Sequence, residues 1–282
     1  MELDIIVPAM RRAGTQRLLD SLAAQTRRPD CVTLVSNELQ PADLDWHGLA
    51  GRIIAFRSDV YAVGASDVAL RGNVGIWSSR GTHLLLAADD QVAPRGMIVA
   101  WVELLVGRPF AWGHHRLYDG APRVAELLDR DLATGASREQ GVNCWHGYWS
   151  AYSGSFGAEV DYLRRAGGID MLFHGRHAGE DQNLGYRLGL RHRDGPRVFI
   201  HEPPAWWHPP FDADAAEPYP APGWSNVCVG SHAMTTTPIG RGRLQRCSAC
   251  PYWRYDGDDP QQPEPLIRFD PAAVQVAWEH VT

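Results

Sequence analysis

The sequence predicts an α/β fold built on a mostly parallel sheet, and three observations carry that expectation. Short β-branched runs alternate with segments of helical periodicity through the first third of the chain. The fourth such run ends on adjacent carboxylates, in HLLLAADDQVAP from His83 to Pro94, at the strand end where open parallel sheets bind their ligands. Neither Gly-x-Gly-x-x-Gly nor a P-loop occurs, so neither standard phosphate-cradling turn accounts for that site.

LDIIVPA (Leu3–Ala9) is a buried-strand run. TQRLLDSLAAQT follows with Leu18, Leu19, Leu22 and Ala23 at helical spacing, and Thr15 is its expected N-cap. CVTLVSN (Cys31–Asn37) and RIIAFR (Arg52–Arg57) are the second and third strands. ASDVALRGNVGIWSSR reads as a helix from near Ser66, weakened by Gly72 and Gly75. THLLLA is the fourth strand, and Pro94 stands where the first turn of a helix through GMIVAWVELL is expected. Further on, YWSAYSGSFGAEVDYLRRAGGID predicts a strand, a turn and a short helix. GEDQNLGYRLGL (Gly179–Leu190) predicts a helix opening with two acids, and RVFIHE and AWWHPP predict short strands.

The chain has 282 residues, 44% of them hydrophobic, which fits one large domain or one domain with an appendage. Its net charge of -6 gives no global attraction to nucleic acid or anionic membranes. All 27 basic residues are arginine, and five unevenly spaced cysteines do not make a disulfide scaffold. No apolar run approaches the roughly 18 residues of a membrane span. MELDIIVPAM lacks the basic and apolar regions of a signal peptide. A cytoplasmic protein without a membrane span is expected. From about Pro209 the composition turns rich in Pro, Ala and acids. The expected division is therefore a main domain over 1–210, with a linker and C-terminal extension over 211–282.

Taken in order, five segments across residues 3–210 resemble the family 2 glycosyltransferases of the GT-A fold: DIIVPAMRRAGTQRLLDSLAAQT, VTLVSNE, GASDVALRGNVGIWSSRG, HLLLAADDQVAP, and GSFGAEVDYLRRAGGID with GEDQNLGYRL and RVFIHEPPAWWH. The resemblance implies a three-layer α/β/α sandwich. It also implies a metal-dependent transfer of sugar from a nucleotide-sugar to an acceptor hydroxyl, with inversion at the anomeric carbon.

The chemistry agrees with that family. A nucleoside diphosphate leaving group concentrates negative charge, which a hard divalent cation on oxygen ligands neutralises. By the family pattern Asp90 is the metal ligand and Asp89 lies nearer the ribose or diphosphate. Ala88 stands at the family's first Asp, leaving either Asp90 alone or an Asp89/Asp90 pair. His208 in AWWHPP falls at the family's other ligand, and Asp with His favours Mn²⁺ over Mg²⁺. A carboxylate must take the acceptor proton. Asp181 matches that base, with Glu180 beside it to orient the acceptor, although acids also simply favour a helix start. Pro8 and Ala9 match the rim of a nucleobase pocket. Ser36, Asn37 and Glu38 replace the usual acidic pair there. Asn73 matches the Asn of Arg-Asn-x-Gly, with Arg71 one position before the expected arginine. The expected donor is a UDP-sugar, with GDP- or dTDP-sugars as alternatives, and the acceptor a glycan, a protein or modified DNA.

In the extension, Cys228, His232, Cys247 and Cys250 form C-x3-H-x14-C-x2-C. That Cys₃His set suits a structural, tetrahedral Zn²⁺. Between Gly223 and Tyr255 lie Arg241, Arg243, Arg246 and Arg254 without an acid, among Trp224, Tyr252, Trp253 and Tyr255. Such a segment can grip nucleic acid or carbohydrate, or simply cap the domain. Two further functions follow as alternatives. One is a glycosyltransferase acting on hydroxymethylated pyrimidines in DNA through this tail. The other is a non-catalytic GT-A-like module that binds a nucleotide-sugar or a partner. A nucleotidyltransferase is disfavoured because PAMRRAGTQ holds one glycine, not a Gly-rich basic loop.

Overall fold

The computed structural model describes residues 1–61, 67–89, 91–112, 115–117, 156–174, 180, 183–184, 187–188, 206–208, 264–265 and 267–281, with the backbone alone for 112, 115–117, 172, 206–208 and 279–281. Strand β1 (Leu3–Pro8) lies at the centre of the sheet, and β2 (Cys31–Val35) and β4 (His83–Leu86) pair parallel on its two sides. Strand β3 (Gly51–Ser58) continues parallel beyond β2. On the other flank β7 (Phe156–Glu159) runs antiparallel to β4, with β5 (Phe110–Trp112) antiparallel to β7. Among the described residues this makes a seven-stranded sheet in the order β5-β7-β4-β1-β2-β3-β9, where β9 (Val274–Val281) pairs antiparallel with β3.

Both faces of β1 are covered, which is why its sequence is apolar without alternation. Leu3, Ile5 and Val7 pack with Leu18, Leu19 and Leu22 of α1 (Arg12–Ala23) and with Met97, Ile98 and Trp101 of α3 (Met97–Leu105). Ile6 turns to the opposite core, with Leu70, Val74 and Ile76 of α2 (Val68–Ser78) and Val160 and Leu163 of α4 (Val160–Arg165). Sheet and helices therefore form the expected three layers.

Several expectations are corrected in detail. Helix α1 starts at Arg12, and Thr15 is not its cap. The Thr15 hydroxyl donates back to the Arg11 carbonyl at 2.7 Å, inside the first turn. Pro94 precedes α3 rather than opening it. Its carbonyl accepts from the Met97 N–H in a turn whose Gly96 has φ 83, and Gly96 is the residue before the helix. The glycines of α2 mark close packing. A Cβ on Gly75 would lie 2.2 Å from Ile6 Cγ2, and one on Gly72 would lie 2.5 Å from Ile169 Cδ1. Finally, β9 comes from the stretch assigned to the extension, so a division at residue 210 leaves out one strand of the sheet. The expected RVFIHE strand lies outside the described residues. AWWHPP contains β8 (Trp206–His208), which pairs parallel with β6 (His115–Leu117) in a second, two-stranded sheet.

Candidate active site at the carboxyl end of the sheet

The carboxylate that ends the β4 segment has a specific partner. The N–H groups of Met10 and Arg11 donate to Asp89 Oδ2 at 2.8 and 2.9 Å. Arg11 Nε and Nη2 reach Oδ1 at 3.1 and 2.5 Å. Asp89 is 3% and Arg11 6% exposed. A desolvated pair of this kind is tolerable because its hydrogen-bonding capacity is filled. It ties the β1–α1 turn to the end of the β4 segment.

Arg71 organises the neighbouring rim. It is fully buried, reached from α2, and its Nε donates to Asp67 Oδ1 at 2.6 Å. Nη1 donates to the carbonyls of Ala9 at 3.1 Å and Val35 at 3.3 Å, the residue just after β1 and the last residue of β2. Both terminal nitrogens grip Glu38, each at 2.7 Å. Glu38 remains 46% exposed in its side chain. Burial pushes its carboxyl up, but the hydrogen bonds and charge of Arg71 outweigh this and hold it below the ordinary range. Arg71 is itself disfavoured by burial, yet Glu38 and Asp67 raise its pKa above the ordinary value. Ser36 Oγ lies 3.1 Å from Glu38 Oε2 and accepts the N–H groups of Glu38 and Leu39. Asn37 Oδ1 accepts from the Phe56 N–H at 2.8 Å, which ties the ends of β2 and β3 together.

Pro8, Ala9, Ser36, Asn37, Glu38, Arg71 and Asp89 are thus gathered at the carboxyl ends of β1, β2 and β4. Asn73 is not. It is fully buried and faces the loop after α4, donating to the Ile169 carbonyl at 2.7 Å and accepting from the Ile169 N–H at 2.8 Å. Glu180 is helical and buried. His208 closes β8 at the register position opposite Leu117. Asp90, Asp181, Cys228, His232, Cys247 and Cys250 lie outside the described residues. Among the described residues no group of three or more His, Cys, Asp or Glu is placed to hold a metal. None of their helices is long and apolar enough to cross a membrane.

Sequence reasoning missed Arg11, Asp67 and Arg187. The acid-then-arginine spacing of four between Asp67 and Arg71 is a legible signal on a helix. Arg11 has none, because its partner lies 78 residues away.

No family model matches the chain, and no curated protein sequence matches it. Solved structures do. Residues 1–349 of S. aureus TarS in complex with UDP align over 77% of this chain, with a TM-score of 0.50 and 13% identity. The chain spans 63% of that structure's length. The mannosyltransferase PcManGT from Pyrobaculum calidifontis, in complex with GDP-Man and Mn²⁺, aligns over 73% of this chain and 56% of its own, with a TM-score of 0.48 and 15% identity. The likeness to TarS shows the fold: a mixed, mostly parallel α/β sheet of the glycosyltransferase kind.

Proposed function

We propose that the chain is a metal-dependent, inverting glycosyltransferase that uses a nucleotide-sugar donor. The observation that carries this reading is the rim itself. Arg71 ties the ends of β1 and β2 together while Glu38 stays accessible, at the sheet end where such folds bind ligands. The fold likeness to UDP-bound TarS supports a nucleotide there, with UDP-sugars as the first donors to test, then GDP- and dTDP-sugars.

Asp89 does not fit a metal. Both its oxygens are occupied by Arg11 and two amides, and a cation beside that guanidinium would meet like charge. Asp90 is therefore the carboxylate that would hold the ion, with His208, a donor set that suits Mn²⁺. When bound, the cation would neutralise charge on the departing diphosphate. Asp181 takes the proton from the acceptor hydroxyl. The acceptor oxygen bonds to the anomeric carbon from the face opposite the leaving group, and the bond from that carbon to the diphosphate oxygen breaks. Glu180 orients the acceptor. The acceptor is a glycan or protein hydroxyl, and Cys228, His232, Cys247 and Cys250 would hold a structural Zn²⁺.

A thermal-shift panel with UDP-, GDP- and dTDP-sugars plus Mn²⁺ tests the donor site, and failure of every donor to stabilise the chain sinks it. Sugar release by wild type compared with Asp181→Asn tests the base. Loss of turnover with retained donor binding is expected, and equal turnover in the variant removes Asp181 from the role.

A further inference from the structure

Residues 180, 183, 184, 187 and 188 are helical, and Leu184 and Leu188 enter the core shared by α2 and α4. Arg187, also helical, is fully buried. A guanidinium keeps its charge in proteins, so its burial requires acceptors. Nε donates to Asn183 Oδ1 at 2.8 Å, one turn back. Nη1 donates to the Ala166 carbonyl at 3.1 Å, and Nη2 to that of Gly168. Ala166 caps the C-terminus of α4, where main-chain carbonyls lack helical partners and the helix dipole favours a cation.

The same short loop is held from two other sides. Asn73 of α2 bonds both the N–H and the carbonyl of Ile169 and donates to Met171 Sδ at 3.2 Å. The approach is close enough that a Cβ on Gly168, at φ 63, would lie 2.4 Å from Asn73 Oδ1. From the C-terminal stretch, Ile267 donates its N–H to Asp170 Oδ1 at 3.1 Å and accepts the Met171 N–H at 2.9 Å. Arg71, two residues before Asn73, holds the donor rim.

We propose that Arg187 is a positioning residue, locking the helical residues that follow Glu180 onto loop 166–171. Asn73 locks the same loop from α2, so Glu180 and the donor rim share one anchor, and Asp181 follows Glu180 directly in sequence. The catalytic consequence rests on the reading of Asp181 as the base; the mechanical link does not.

The test uses the full chain carrying Arg187→Lys, Asn73→Ala, or both. Arg187→Met risks unfolding, and the lysine variant keeps the charge while losing the fork that spans two carbonyls. Hydrogen exchange at 166–171 and 180–188 should rise about tenfold or more in Arg187→Lys, with β1 and β2 unchanged. With the donor identified by the shift panel, kcat should fall about tenfold while donor KM stays within about twofold, and the pH profile of kcat should move. Asn73→Ala should give the same pattern, less than additive with Arg187→Lys. Unchanged exchange at 180–188 in folded Arg187→Lys overturns the anchor. Unchanged kcat, or KM rising in step with falling kcat, overturns the positioning role. If wild type turns over no donor, the proposed function fails, and the exchange measurement still decides the anchor.

Discussion

Both ends of the central sheet press an arginine against carboxylates, but the two constructions differ. At the amino end, Arg52 of β3 reaches Asp4 of β1 at 3.0 Å across Thr33 of β2, with side chains 4% and 2% exposed. Thr33 and Ser79 each donate to Asp4 at 2.9 Å, Arg52 Nε donates to Thr33, and the Trp278 ring of β9 lies 4.9 Å from the guanidinium. Burial there outweighs Arg52 and leaves the Asp4 carboxyl raised; burial and the Asp4 charge push the neighbouring Cys31 thiol up to about 11. At the carboxyl end, Arg71 is equally buried, but its bidentate partner Glu38 is half in solvent and its pKa is lowered. One pair is buried at both partners. The other braces two strand ends and leaves a carboxylate on a rim, as a binding edge requires.

The largest effect should come from Arg71→Met, which strands Asp67, 1% exposed, without its ion-pair partner. A loss of about 3–5 kcal/mol is expected for a broken buried pair, read from chemical denaturation, with loss of any nucleotide-sugar thermal shift. A cost below about 1 kcal/mol would mean the rim is not braced as described. Arg52→Met should cost less, about 1–3 kcal/mol, because the raised Asp4 carboxyl can take up a proton when its partner goes. It should leave donor-induced shifts intact; their disappearance would collapse the distinction between the two ends. Gly75→Ala tests the helix that runs between them. Overpacking against Ile6 costs about 1–3 kcal/mol, and the better helix propensity of alanine returns about 1 kcal/mol, so a modest net loss is expected in the same assay.

The smallest effect is the pH dependence. Glu38 has a folded pKa below its unperturbed 4.5. Its stabilisation is therefore complete above that value and is lost as pH falls through the folded pKa. Asp4 works in the opposite sense: raised above 3.8, it withdraws stability as pH climbs from 3.8 through its folded value. Glu38→Gln should flatten the acid side of a stability-pH curve, while Asp4→Asn should remove the opposing slope. Exchange of those two outcomes would reverse the assignment of the ends.

Much of this architecture was legible beforehand. The apolar runs of β1 to β4 stand at nearly the observed bounds, and Leu18, Leu19 and Leu22 mark the buried stripe of α1, because burial on two faces or on one stripe writes itself into local composition. Helix starts were less legible. Thr15 and Pro94 have the right chemistry for a helix start but stand a few residues from the observed ones, where the Arg11–Asp89 pair and the Gly96 turn set the entry. At the site, position in the sequence points to Asp89, Glu38 and Arg71, whereas Asn73, in the same motif, faces away from them. A motif conveys which residues occur together, not which face each one takes after the helix packs.

By itself the sequence determined the alternation of strands and helices, the two buried faces of the sheet, and the supply of carboxylates at its carboxyl end. Tertiary structure alone decided that Asp89 belongs to Arg11, that Arg71 clamps Glu38 and two strand ends, that Asn73 and Arg187 meet on one loop, and that β9 returns to complete the sheet beside β3. The physical reason is range. Periodicity and propensity report on neighbours within a turn or a strand. The partner of a buried charge is chosen by desolvation among groups that only the folded chain brings together.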